Sequence, residues 1–327
     1  MNNNLIEKVP FISVVFSFRN EEAVLHELIL RCRNVFDEQK EKKIISGYEL
    51  IFVNDDSVDD SENILLSELE KRRDIKIVTM SRNFGVSVCV IAGMSYATGD
   101  LIVYMDADLQ DPPEVITELI ATWNQDRSID VVHTVRSSRQ GETWFKLFLT
   151  KIGYLILKHV TDISLPVEAG DFKLLTKRVA LQILKLDEKN PFMRGLVCWV
   201  GFKQTFISYT RAPRFSGKTK FPVISSKVIW NFFESALISF SDIPLKVIFC
   251  IGVLISLFSF LLLLYVLVQR FVIETTSGWT AIMASISFLS GIQLFSMGII
   301  GLYIASIFRE TKKRPNYIVK SLTGFDA

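Results

Sequence analysis

From Phe11 onward, apolar and polar positions fall into two alternating periods. "FISVVFSF" (Phe11–Phe18) is an almost unbroken apolar run, which predicts a strand buried on both faces. "EEAVLHELILRCRNVFDEQ" then spaces its apolar residues at helical intervals and predicts an amphipathic helix. The same pairing recurs with "YELIFVN" and "DSENILLSELEKR", then with "IKIVTMS" and "SVCVIAGMSYA"; "DLIVYMD" and "DVVHTVR" read as further strands. Strands alternating with helices imply βαβ units and a parallel sheet covered on both faces. Ligands of such sheets lie beyond the carboxyl ends of the strands. Asp55 and Asp106 stand at two such ends.

The pattern changes after Arg136. Glu142–Val160 carries Lys146, Thr150, Lys151 and Lys158 on one helical stripe, and Val223–Ser241 sets Lys227, Asn231 and Glu234 opposite Trp230, Phe233, Leu237 and Phe240. Helices of this kind lie in a membrane interface or serve as ordinary core helices. Val247–Val268 then runs without a charge, and at 1.5 Å per residue it spans roughly 33 Å, enough to cross a bilayer. Ala281–Phe308 is a second uncharged run, whose Ser287/Gly291 and Gly301/Ala305 pairs would admit a close neighbour. Lys246 precedes the first run and "RETKKRP" follows the second, while the loop between carries only Arg270 and Glu274. The positive-inside bias therefore predicts a hairpin with both ends in the cytoplasm. The start, "MNNNLIEKVP", lacks the layout of a signal peptide. The expected organisation is a catalytic domain over 1–222, an interfacial helix over 223–242, two membrane helices over 245–308 and a cytoplasmic basic tail over 309–327.

Composition narrows the classes. With 37 basic and 35 acidic residues in 327, charge gives no case for a nucleic-acid partner. The four cysteines are scattered with no CxxC pair, which argues against a zinc site and a disulfide framework and fits a reducing compartment. His26, His133 and His159 are dispersed and read as helix-surface or strand-end residues rather than ligands.

The chemistry concentrates in "LIVYMDADLQDPPE", where Asp106 and Asp108 close a strand as hard oxygen donors suited to Mg²⁺ or Mn²⁺. A bare Asp-x-Asp is common in surface loops. Here a second acidic turn, "NDDSVDDS", stands at a neighbouring strand end and "SFRNEE" at the first. Asp59 and Asp60 read as caps of the helix that follows. No GxGxxG follows either early strand, which counts against a dinucleotide oxidoreductase.

Taken in order, "SFRNEE", "IFVNDDSVDDS", "SRNFGVSVCVIAGMSYATGD", "YMDADLQDPPE", "AGDFKLL" and "RFSGKTKF", followed by paired apolar spans, resemble the polyisoprenyl-phosphate glycosyltransferases. The resemblance covers about Phe11 to Pro315. It implies an α/β GT-A (Rossmann-like) domain of glycosyltransferase family 2, docked by interfacial helices and tethered by a two-helix transmembrane hairpin. It implies inverting transfer of one sugar from a nucleotide-diphosphate sugar, a UDP-sugar favoured, to a polyprenyl phosphate at the cytoplasmic membrane face. Position by position, it makes Asp106, Asp108 and Gln110 the metal site, with Asp106 also on the donor diphosphate. Asn20, Glu22 and Asp55 would line the nucleotide pocket, and Arg136 and Arg139 would sit beside the donor and acceptor phosphates. Arg214, Lys218 and Lys220 would face the lipid phosphate.

Asp171 matches an acid near the reacting centre. A phosphate monoester with a second pKa of about 6 is already largely dianionic at neutral pH, so Asp171 is expected to orient groups rather than act as an obligatory base. The sequence departs from the family at Ser17, Arg19, Asn54, Asp56 and Lys173, where proline, tyrosine, an acid, glycine and arginine are usual; Val86 also departs. Two other readings remain: an anchored transferase acting directly on a glycan or glycolipid, and a non-catalytic membrane assembly subunit. Whether the chain forms a homo-oligomer is left open.

Overall fold

The computed structural model describes residues 9–136, 169–211 and 278–325, together with 245, 247–255, 257, 258 and 261. Outside them lie Arg139, His159, Arg214, Lys218 and Lys220, both expected interfacial helices and part of the first expected span, 262–268 included. The first elements alternate as expected: β1 (Phe11–Phe18), α1 (Glu22–Glu41), β2 (Gly47–Asn54), α2 (Ser61–Lys71), β3 (Ile75–Met80), α3 (Val86–Ser95), β4 (Leu101–Asp106), α4 (Val115–Gln125) and β5 (Val131–Arg136). After them come β6 (Ala169–Thr176), α5 (Lys177–Lys185), α6 (Met193–Trp199), β7 (Gln204–Tyr209), α7 (Trp279–Thr311) and β8 (Val319–Thr323).

The strands form one sheet in the order β7-β5-β6-β4-β1-β2-β3-β8. It is mixed rather than wholly parallel. β6 begins at the edge where β5 ends and runs antiparallel between β4 and β5, and β8 runs antiparallel along β3. Successive residues of a strand face opposite sides, so the both-sided apolar runs feed two cores. Val14, Phe16, Phe52 and Val103 pack with α1 and α4, while Val15, Val53, Ile102 and Tyr104 pack with α3, α5 and α6. Helix α3 touches the sheet at Gly93, where a Cβ would lie 2.3 Å from Val15 Cγ1 and 2.9 Å from Val53 Cγ2.

At the amino edge of the sheet the "ATGD" turn ties strands together. Thr98 donates from N and Oγ1 to Glu49 Oε1 at 2.7 and 2.9 Å, and Gly99 N donates to Ser13 Oγ at 2.8 Å. Phe11 N donates to Asp100 Oδ2 at 3.0 Å, and Lys76 pairs with Glu49 at 2.6 Å. These bonds hold β1 and β4 in register from below.

Helix α7 is 33 residues long, and within Phe288–Thr311 an 18-residue stretch reaches a mean hydropathy of 1.8 with none of it buried. At 1.5 Å per residue, 24 residues cover about 36 Å, long enough to cross a bilayer. The chain beyond it is more than a basic tail. Ile318 O accepts Ser81 N at 2.9 Å, Tyr317 Oη meets Ser95 Oγ at 2.8 Å, and Phe325 packs on Tyr96 with ring centroids 5.4 Å apart. Strand β8 escapes a reading by periodicity because its five residues on a sheet edge, three of them exposed and two half-buried, carry no buried run.

His133 is also a correction. It is wholly buried in mid-strand, donates from Nε2 to Gln204 Oε1 at 2.7 Å and stacks on Phe206. Burial, then the charge of Lys173, push its pKa down to about 3.

Two outcomes test this packing. Gly93→Ala forces a methyl into Val15 and is expected to lower stability by about 1–3 kcal/mol in denaturant titrations. His133 folds neutral, so its contribution is full above the ordinary histidine pKa of 6.5 and falls as pH drops towards 3. The loss approaches about 1.4 kcal/mol per pH unit. His133→Gln should therefore flatten the stability profile between pH 6 and 4, and a profile parallel to wild type would refute the burial argument.

Candidate active site at the carboxyl edge of the sheet

Strand register levels the candidate residues. Ser17 pairs with Asp106, Phe18 with Asn54 and Asn54 with Thr79, so β1, β2, β3 and β4 end at one height. The loops after β1 and β2 are laced by side chain to backbone bonds. Asn20, in the left-handed region at φ 54°, donates from N to Ser57 Oγ at 3.0 Å and accepts Val58 N at 2.8 Å. Glu22 N donates to Asp59 Oδ2 at 3.1 Å, and Glu22 Oε2 accepts Asp60 N at 2.9 Å. Asp59 also accepts Ser61 N at 3.2 Å, whereas Asp60 makes no side-chain cap on α2.

Asp55 is buried and organises the neighbouring loop. Its Oδ1 accepts Phe84 N at 2.6 Å, and its Oδ2 accepts Asn83 Nδ2 at 2.7 Å and Gly85 N at 3.0 Å. Gly85 sits at φ 96°, so the turn into α3 takes a backbone that a side chain would strain.

The acidic turn follows β4. Leu109 takes φ 56°, and Asp108 Oδ1 accepts Gln110 N at 3.1 Å. Asp111 turns inward, 2% exposed, and accepts Tyr209 Oη together with Arg211 Nε at 3.1 Å. Asp106 keeps the least compensated charge. Burial first, then the carboxylates of Asp171, Asp108 and Asp111, push its pKa up to about 7 against the pull of Arg211.

Tyr104 on β4 pairs with Lys173 on β6, and the same register carried two residues further sets Asp171 level with Asp106. Asp171 takes a two-pronged pair from Arg194 in the first turn of α6, Nε to Oδ1 at 2.9 Å and Nη2 to Oδ2. Burial raises the Asp171 pKa, but Arg194, Lys173 and Arg136 together hold it below the ordinary carboxylate value. Lys173 beneath it is 1% exposed, and burial lowers its pKa to about 8 against the pull of Asp171. The Tyr104 hydroxyl is buried without a hydrogen-bond partner among the described residues. On the other face of the sheet, the Arg136 guanidinium lies over Gly170, where a Cβ would be 3.3 Å from Nη2, and bonds Tyr209. Arg136 Nε is buried with no acceptor among the described residues.

The fold thus gathers Asp106, Asp108, Gln110, Asp171 and Arg136 at one edge, with Asn20, Glu22 and Asp55 in the adjoining loops. The residues that sequence reasoning missed are partners of these: Arg194 for Asp171, and Tyr209 with Arg211 for Asp111. "MRGL" carried the only sign of Arg194, a lone cation in an otherwise apolar helix.

The family described as Glycosyl transferase family 2 matches residues 13–184. An uncharacterised glycosyltransferase of Bacillus subtilis (strain 168), YkcC, is 42% identical over 315 residues, 96% of this chain and 94% of its own. A prophage bactoprenol glucosyl transferase homologue of Escherichia coli (strain K12) is 33% identical, covering 94% of this chain and 98% of its own. Among solved structures, mannosyl-3-phosphoglycerate synthase of Rubrobacter xylanophilus is similar over 70% of this chain and 72% of its own. Its 13% identity and TM-score of 0.45 are too loose to carry any residue across. Family match and full-length relatives agree with the α/β sheet and its acidic edge: the chain belongs to glycosyl transferase family 2 and is a glycosyltransferase.

Proposed function

We propose that the chain transfers one sugar, with inversion, from a nucleotide-diphosphate sugar to a polyprenyl phosphate at the cytoplasmic face of a membrane. The observation that carries this reading is the gathering of Asp106, Asp108 and Asp171 at the carboxyl edge of the sheet, with Arg136 and Arg194 beside them. The relatives named bactoprenol glucosyl transferases support the acceptor, as does the apolar length of α7. Arg309, Lys312, Lys313 and Arg314 at the end of α7 support the cytoplasmic side.

The donor set fits a hard divalent cation, Mg²⁺ or Mn²⁺. Asp106 bears more negative charge around it than its neighbours relieve. Among the described residues no three His, Cys, Asp or Glu side chains gather as a metal cage, so Asp106, Asp108 and Gln110 would share the ion with substrate oxygens. Bound there, the cation would stabilise charge on the leaving diphosphate. The rest belongs to the chain. Asn20, Glu22 and Asp55 shape the loops that receive the nucleotide, and Arg136 places its unpaired N–H for a phosphate oxygen. Arg139 and the basic stretch Arg214, Lys218 and Lys220 supply further phosphate contacts in this reading. An acceptor phosphate oxygen attacks the anomeric carbon, the bond to the donor diphosphate breaks, and the nucleoside diphosphate leaves. Asp171, held ionised by Arg194, orients these groups and takes no proton.

Membranes holding the full chain, incubated with a panel of labelled nucleotide sugars, should place mild-acid-labile label in the lipid phase. Asp108→Asn should lower that transfer at least about a hundredfold. Label appearing only on glycan, or turnover that persists in excess EDTA, would overturn the acceptor or the cation respectively.

Asp171→Asn should slow transfer strongly, with a residual rate that follows the titration of the acceptor phosphate and levels off above pH 7. A residual rate climbing about tenfold per pH unit through pH 8 to 9 would mean hydroxide replaces a missing base, and the orienting role would be wrong.

A further inference from the structure

Loop 186–192, between α5 and α6, delivers Arg194 to Asp171. Phe192 O accepts Gly195 N at 2.9 Å and Leu196 N at 3.0 Å, so the helix carrying Arg194 starts where the loop ends. Met193, Leu196 and Val197 anchor that helix in the core, and Pro191 is buried before it.

The loop is held from the far end of the chain. Lys189 N donates to Glu310 Oε1, on the last turn of α7, at 2.9 Å. Asn316, five residues past α7, donates from Nδ2 to Asp187 Oδ1 at 3.1 Å and to Glu188 O at 2.9 Å. Asp187 sits in the left-handed region at φ 44° and pairs with the Lys189 ammonium at 2.9 Å. Glu188 is half-buried, and burial, then the charge of Glu310, push its carboxyl up to about 7. The contact is therefore specific in its hydrogen bonds and opposed by like charge, which keeps it from being a passive weld.

We propose that Glu310 and Asn316 are positioning residues: they clamp loop 186–192 to the end of the apolar helix and thereby set Arg194 on Asp171. The proposal rests on the orienting role given to Asp171 above. It makes the geometry of the site depend on how α7 is seated, so that catalytic alignment and membrane attachment are one mechanical state.

Full-length variants assayed in native membranes, with expression matched, separate the outcomes. Glu310→Ala and Asn316→Ala should each lower kcat about tenfold, leaving donor KM within about twofold, because small misalignments of a reacting group are costly. Glu310→Gln, whose amide oxygen still accepts Lys189 N–H, should restore most of kcat. Added to Arg194→Lys, Glu310→Ala should cost little further, since both act on the same alignment. Wild-type kcat in Glu310→Ala and Asn316→Ala, with Asp171→Asn inactive, overturns the clamp and leaves the orienting role standing. Full activity of Asp171→Asn overturns the orienting role itself. Should Glu310→Ala fail to accumulate, Asn316→Ala decides alone, and Glu310→Gln as slow as Glu310→Ala would also refute the hydrogen bond.

Discussion

Four carboxylates are forced together at one edge of a sheet that cannot yield. Asp106 ends a strand whose neighbours are buried on both faces and locked in register. A slip of one residue would turn every apolar side chain of β4 to the wrong face. The cost of moving Asp106 away from Asp108, Asp111 and Asp171 is thus the cost of unmaking two cores. The surrounding cations are placed to relieve some of that charge and not all of it. Arg211 answers Asp111 and Arg194 answers Asp171, while the charge on Asp106 stands exposed to the other three. Local electrostatic strain of this kind persists only where a rigid scaffold sustains it.

The acids of this chain look alike in sequence and differ by partner. Asp55 spends both oxygens on the loop at Asn83–Gly85, Glu49 spends its own on the amino-edge tie, and Asp111 is sealed under Tyr209. The "ATGD" block, so distinctive as a sequence, fixes strand register at the edge opposite the chemistry. Distinctive spelling can therefore mark a structural joint as readily as a reacting group.

The central strands were legible because a strand buried on both faces is apolar nearly throughout, and β1, β2 and β4 depart from that only at Ser13, Ser17, Glu49, Asn54 and Asp106. The acidic turn was legible because nothing but a ligand or a cap calls for Asp106 and Asp108 beside two prolines. What escaped were contacts set by tertiary approach. Arg194 lies 23 residues from its partner, and no spacing rule joins them. His133 sits among strand residues as any exposed histidine would, until Gln204 and Phe206 close over it. Strand β8 borrows its regularity from β3, and the basic residues before it suggest a solvated tail. The antiparallel course of β6 follows from the edge at which it enters, which composition does not encode.

Asn54 shows how a departure can be absorbed. An acid is usual at that position in the family this chain resembles, and its replacement would leave the edge of β2 short of one negative charge. In this fold Asn54 Nδ2 donates to Glu62 Oε2 at 3.3 Å, and Thr79 Oγ1 donates to Glu62 Oε1 at 3.0 Å. Glu62, in the first turn of α2, therefore brings a carboxylate to the end of β2 from the following helix. Two acids on Asn54 and Glu62 would repel across that distance, whereas an amide bridges them. The amide oxygen of Asn54 meanwhile accepts Ser57 N at 2.9 Å and shapes the loop that Asn20 laces from the other side. A carboxylate thus stands at this end of the sheet on Glu62, while Asn54 joins it to the loop after β2.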